Sequence, residues 1–185
     1  MQKSQKNGLG SKQFGATKVI TTAATMTAIS VLIGIFCKNY MNFGVPPGLF
    51  RVTFENLPII MSGILYGPII GGTVGVLTDL ISYLLSPQVY PPNLVVTAGA
   101  ASVGIISGVI SRFIIKKHGC FQISISTALA HIIGSMIIKS IGLFMYYQWA
   151  ILWRIPIYVV IASVEAVLIC LLYKNANIRK LFSWG

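Results

Sequence analysis

Acidic residues are nearly missing from this chain: Glu55, Asp79 and Glu165 are the only three in 185 residues. Charged residues of both signs together make up 9%, against about one quarter in soluble domains. That scarcity excludes an ordinary soluble globular protein. Cysteine is sparse as well. Cys37, Cys120 and Cys170 are an odd number, widely spaced, in no CxxC or Cys/His pattern, which excludes a disulfide framework and a thiolate metal site. They read as small apolar fillers, and no metal or cofactor is expected. Also absent are a GxxxxGK[ST] phosphate loop, HExxH, GxSxG and any DFG-like kinase element, so the chain does not hydrolyse ATP by a familiar route and is not expected to be an enzyme.

What the sequence does have is apolar length and positive charge. Hydrophobic residues are 55% of the chain and the mean hydropathy is +0.81, the composition of an integral membrane protein. Fourteen Lys and Arg give a net charge of +11. They cluster outside the apolar runs, as topology signals do, rather than along one face that could track phosphates, so nucleic acid is not an expected partner.

Residues 1 to 18, with Lys3, Lys6, Lys12 and Lys18, read as a disordered or surface-lying basic tail. The run at 19–37 is long enough to span a hydrocarbon core that needs about 20 residues. It exceeds a signal-peptide core and is followed by no clear cleavage site, so it is expected to stay as a permanent span. Further spans are expected at 94–111, 121–147 and 155–173. The stretch 57–86 contains Asp79 as its only charge, and Gly67-Pro68 followed by Gly71, Gly72 and Gly75 predicts a turn near its middle. Charge distribution supports dividing it. With two spans there, the N-terminal tail, the 112–120 linker and the C-terminal tail share one side and hold ten of the 14 basic residues. With one span the positive charge splits between both faces, against the positive-inside tendency. The expectation is an all-α bundle of six transmembrane helices with both termini cytoplasmic: a basic tail at 1–18, a membrane domain at 19–174 and a second basic tail at 175–185.

In that topology "RVTFENLPII" begins a helix descending from the outer surface at about Arg51, and Arg51 and Glu55 sit in the outer leaflet. A charge at the centre of a span costs about 2.5–3.5 kcal/mol on insertion scales, less near the interface, so these side chains must face protein, water or a ligand. Other spans supply matching polar stripes. His131, Ser135, Lys139 and Tyr146 recur at helical spacing, as do Arg154, Tyr158 and Glu165, and Asp79 lies four residues before Tyr83. Depth counting brings Lys139 and Glu165 within about a turn of each other. Structural ion pairs, Lys139 with Glu165 or Arg51 with Glu55, are one reading of these charges. The other is a pocket: Arg51, Lys139 and Arg154 face few acids, and an anionic ligand would match them. The loops "NFGVPPGLF" and "SPQVYPPNL" are stiff and aromatic. With Phe54, Tyr83, Tyr90, Tyr146, Tyr147 and Trp149 they offer rings for a planar ligand, an interfacial aromatic belt being the alternative for Tyr147 and Trp149. The two halves carry no corresponding broken helices of the inverted-repeat transporter kind, so a binding subunit fits better.

The size, the six spans, "RVTFENLPII" followed by "GILYGPIIGGTVGVLTDLISYLL", the "YPPN" loop and the "SRFI" ending of the 94–111 span resemble the substrate-binding S components of energy-coupling factor (ECF) vitamin transporters, most of all the folate-specific family. The resemblance implies a multi-pass protein of a bacterial plasma membrane that lies among lipid and captures a vitamin at the outer face. It implies docking on a transmembrane T component powered by two ATPase subunits, and Ala24 and Ala28 match the family's AxxxA docking motif. For folate, Arg51, Lys139 and Arg154 are candidates for the glutamate-tail carboxylates, Glu55, Asn56 or Asp79 for the pterin edge, and Phe54, Tyr83, Tyr90 or Trp149 for stacking, with Tyr146 also in the pocket. Thiamine and pantothenate are alternative ligands, cationic thiamine favouring the three acids over the basic set. An intramembrane enzyme built on Asp79, Glu165 and His131 lacks any recognisable nucleophile or metal spacing.

Overall fold

The computed structural model describes residues 2–43, 50–85, 93–115 and 119–175, with Arg51 and Tyr146 among those described by backbone alone. Helix α1 runs Gln2–Tyr40, so the basic stretch at its start continues the helical path of the span instead of leaving it. Two residue pairs of antiparallel strand follow, β1 Asn42–Phe43 against β2 Phe50–Arg51, with Asn42 opposite Arg51. Then come α2 Asn56–Tyr66, α3 Pro68–Leu85 and α4 Leu94–Val109, which ends in a π-helical turn at Ile110–Ile114. The next rod begins as α5 Cys120–Ala130, widens into a π-helical stretch His131–Ile138 and resumes as α6 Lys139–Tyr147. A 3-10 segment, Gln148–Trp153, leads into α7 Arg154–Lys174.

Five helical segments, Thr17–Tyr40, Pro68–Leu85, Leu94–Ile114, Cys120–Met145 and Arg154–Lys174, have the length and apolarity to cross a membrane. The expected break in 57–86 is present, at Gly67, whose φ of +92° favours glycine because a side chain there would crowd the backbone. Gly71, Gly72 and Gly75 do not belong to that turn. They lie inside α3, where Gly71 meets Gly104 of α4 so closely that a Cβ on either would run into the other's backbone. Where hydrocarbon surrounds a bundle, such small-residue contacts let helix backbones approach and gain packing.

The sixth segment, α2, is shorter than a span, with 11 residues and about 16 Å of rise. It starts at Asn56 rather than at Arg51, and Pro58 supplies the reason. In the first helical turn a missing N–H costs nothing, whereas a helix begun at Arg51 would carry the proline ring into its interior against a carbonyl. The chain therefore enters the bundle as non-helical backbone from the short strand β2. Val52 donates to the Met41 carbonyl at 3.1 Å, and Thr53 and Asn56 are buried. Non-helical backbone at membrane depth is tolerated only where protein covers it, and here Ser30 of α1 donates its hydroxyl to the Glu55 carbonyl. Helix α2 is enclosed nearly all round: Ile59, Ile60, Met61 and Leu65 join Val74, Val103, Ile123 and Ile169 in the core. Leu32, Ile69, Leu84, Phe113, Val160 and Leu171 point outward, as a hydrocarbon solvent allows.

Valine at position 104 would force α3 and α4 apart, at a cost of about 1–3 kcal/mol or more. Gly119→Val meets open space and is expected to be neutral. Thermal unfolding of the two variants in the same detergent checks the contrast.

Candidate functional site

Three polar tiers are stacked along the inner face of the rod that runs from Cys120 to Tyr147. The deepest holds His131, whose Nε2 lies 2.6 Å from Glu165 Oε2 of α7, both side chains fully buried. Nδ1 of His131 and Oε1 of Glu165 have no hydrogen-bond partner among the described residues. Two turns along is the middle tier. Lys139 Nζ stands 3.5 Å from Glu55 Oε1 and donates to Asn56 Oδ1 at 3.3 Å, while Asn56 Nδ2 reaches Ser135 Oγ at 3.5 Å. Lys139 is 7% and Asn56 1% exposed. This tier forms because the non-helical 52–54 segment and the turn at Glu55 deliver Glu55 and Asn56 to the start of α2 inside the bundle. The π-helical stretch behind it carries His131 and Ser135, and π winding recurs at functional positions in helices.

The outer tier is Arg154, at the first residue of α7. Its guanidinium carbon lies 5.3 Å from the Tyr158 ring centroid and 5.9 Å from that of Tyr147, and the residue is 7% exposed. Two electron-rich ring faces stabilise the cation. Among the described residues no carboxylate pairs with it. Tyr147 is eight residues beyond Lys139, about 12 Å along the helix at 1.5 Å per residue. The two buried cations are thus arranged one above the other rather than side by side.

The structure redistributes the pairs suggested by the sequence. Lys139 pairs with Glu55 instead of Glu165, and Glu165 pairs with His131. Phe54 is half-buried immediately before Glu55. Asp79 accepts from Thr97 of α4 at 2.6 Å, so its carboxylate ties α3 to α4, and the half-buried Tyr83 follows it by one turn. Trp149 is 73% exposed and sits edge-on against Phe144 at 5.8 Å, on the outside of the bundle as an interfacial ring does. The side chains of Arg51 and Tyr146, and all of Tyr90, lie outside the described residues. Ala24 and Ala28 are exposed on α1, whose buried side carries Thr27, Ser30, Val31 and Cys37.

Several residues of the frame have no role in the sequence reading. Asn93 caps α4 by accepting from the Val95 N–H at 2.9 Å and also donates to the Gly142 carbonyl at 2.6 Å, pinning α4 to α6. An Asn directly before an apolar helical run is a capping signal; its reach to Gly142 has no sequence signature. Lys38 donates to the Ser82 carbonyl at 3.1 Å.

Comparisons with known proteins agree with this architecture. The profile of the family described as ECF transporter, substrate-specific component, matches residues 18–175. The folate transporter FolT of Clostridium novyi is 24% identical over 117 residues, 63% of this chain and 64% of FolT. An uncharacterized protein of Mycoplasma pneumoniae is 31% identical over 121 residues, 60% of this chain but 22% of that protein. The aligned region spans less than two thirds of either relative. Two solved structures share the fold. The crystal structure of FolT bound with folic acid superposes with a TM-score of 0.60 at 17% identity, covering 83% of this chain and 93% of that one. The S component of a bacterial ECF transporter gives 0.66 at 21% identity, covering 89% and 99%.

Glu165→Leu leaves His131 buried without its acid and is expected to destabilise the protein by about 3–5 kcal/mol, while the double variant His131→Leu/Glu165→Leu recovers most of the loss. A thermal double-mutant cycle in detergent reads this directly. Equal losses in the single and double variants would contradict the pairing.

Proposed function

The chain belongs to the substrate-specific components of ECF transporters, and from that premise we propose that it is the folate-binding S component of an ATP-driven vitamin importer. The observation that carries the reading is Arg154: a guanidinium nine-tenths buried in a membrane bundle, flanked by Tyr147 and Tyr158, with no acid of its own among the described residues. Such a cation is costly unless a ligand brings the missing anion. Its planar fork suits a carboxylate of the glutamate tail.

In this reading the middle tier takes the other end of the vitamin. Glu55 and Asn56 supply acceptors for the amino group and ring N–H of the pterin, and Lys139 holds both in position. A separation of about two helical turns between the tiers matches an elongated ligand, acidic at one end and hydrogen-bonding at the other. Phe54 and Tyr83 border the site, and Arg51, Tyr90 and Tyr146 are proposed to complete its outer wall. Trp149 and Asp79 contribute at most from its edge, given where their partners hold them.

The protein is placed in a bacterial plasma membrane with the Arg154 end outward, and the basic segments 1–18, 112–120 and 175–185 on the cytoplasmic side, following the positive-inside tendency. It performs no chemistry on its ligand. Transport energy comes from two ATPase subunits through a membrane-embedded T component, which docks on the exposed face of α1 bearing Ala24 and Ala28.

Arg154→Ala is expected to weaken folate binding about 10- to 100-fold, the worth of a charge-assisted hydrogen-bonded contact, and to leave pteroic acid, which lacks the glutamate tail, unaffected. Glu55→Gln weakens both ligands. Calorimetry on purified protein separates these cases, and wild-type folate affinity in both variants would remove the site. Ala24→Trp preserves folate binding and blocks uptake by cells that express the complete transporter; normal uptake would exclude docking through this face.

A further inference from the structure

Away from the polar tiers, α3 and α4 enclose a groove of about 570 Å³ that opens to the outside of the bundle, lined by Pro68, Ile69, Gly72, Val76, Ala101 and Ile105. Thr73 is its one hydroxyl-bearing wall residue, and that hydroxyl is already spent on the Ile69 and Ile70 carbonyls at 3.2 and 2.8 Å. The groove therefore offers an occupant no free side-chain hydrogen-bond donor, and its otherwise apolar lining suits hydrocarbon. Along α3 it runs from Pro68 to Leu77, about 14 Å at 1.5 Å per residue. That is half of a hydrocarbon core about 30 Å thick, the depth of one leaflet rather than of a spanning helix.

One end of the groove is charged. Arg112, in the π-helical turn that follows α4, lays its guanidinium against Gly67, the residue before Pro68: a Cβ on Gly67 would lie 2.8 Å from Nη1. Arg112 is exposed and has no hydrogen-bond or ion-pair partner among the described residues. In sequence it opens the basic run "RFIIKKHG". Membrane phospholipids with anionic headgroups are attracted to such juxtamembrane cations by about 1 kcal/mol for each.

We propose that this groove is a binding site for one anionic phospholipid, an acyl chain lying along α3 and α4 and the phosphate held by Arg112. The site is independent of the vitamin pocket and stands or falls separately from it. A lipid bound there covers the seam where α3 and α4 make their closest backbone contact, and links the composition of the surrounding leaflet to the packing of the bundle.

The test uses the full chain in nanodiscs of equal phosphatidylglycerol and phosphatidylcholine, with lipids retained after gentle release counted by native mass spectrometry. Wild type is expected to retain phosphatidylglycerol about fivefold over phosphatidylcholine, the equivalent of one cation. Arg112→Ala abolishes that preference, Arg112→Lys restores part of it, and Thr73→Trp, which fills the groove from an exposed position, removes retention of both lipids. Equal retention of the two lipids by wild type, or an unchanged preference in Arg112→Ala, overturns the proposal. So does a result in which Arg112→Ala leaves lipid retention intact but abolishes co-purification of a membrane-embedded protein, since the face would then belong to that partner.

Discussion

A charge surrounded by hydrocarbon must be answered from within the protein, and the arrangement of this bundle follows from that constraint. With three acids in the chain, there is little to spend against the cations. Glu165 is matched by His131, Glu55 by Lys139, and Asp79 by a hydroxyl of the neighbouring helix. Arg154 is left with two aromatic faces and, among the described residues, no carboxylate. Deep pairs of this kind contribute little net stability relative to well-packed apolar residues. Their effect is to fix which helices face one another and at what height, because losing either partner exposes the other to an apolar surrounding.

The middle tier depends on an irregular piece of backbone. Were α2 a full span starting at Arg51, Glu55 and Asn56 would be a turn inside a helix and their backbone groups would be committed. The irregular approach, which keeps Pro58 in the first turn of α2 and is covered by Ser30 of α1, leaves Glu55 and Asn56 at the open end of a buried helix, opposite Lys139. Protein nearly all round α2 permits this at membrane depth. The same enclosure explains why an 11-residue helix suffices: its N-terminal end stays inside the bundle beneath Ser30 of α1.

Much of this was legible in the residues. Apolar run lengths gave the span-length segments to within a few positions, although α1 itself begins at Gln2, and Gly67-Pro68 marked the break that separates α2 from α3. The polar stripes on 131–139 and 154–165 correctly predicted buried faces. The late start of α2 was also written in Pro58, a signal that becomes readable once the proline is placed relative to a helix start. Glycine serves both turns and close helix contacts, so Gly71, Gly72 and Gly75 resemble turn signals in the sequence, and only the facing residues of α4 distinguish the two. Trp149 posed a similar ambiguity: an aromatic near a helix end suits either a pocket or an interface, and its exposure decides.

By itself the sequence determined that the chain lives in a membrane, how many helical segments it has and which faces of them are polar, because hydrocarbon imposes length and periodicity locally. Tertiary structure decided who pairs with whom. Lys139 sits eight residues from His131 on one helix, and Glu55 and Glu165 are more than one hundred residues apart. Their assignment depends on relative helix rotation and height, set by the Gly71–Gly104 contact, the Asn93 strap to Gly142 and the irregular entry to α2. Those are distances between segments far apart in the chain, and no local pattern encodes them.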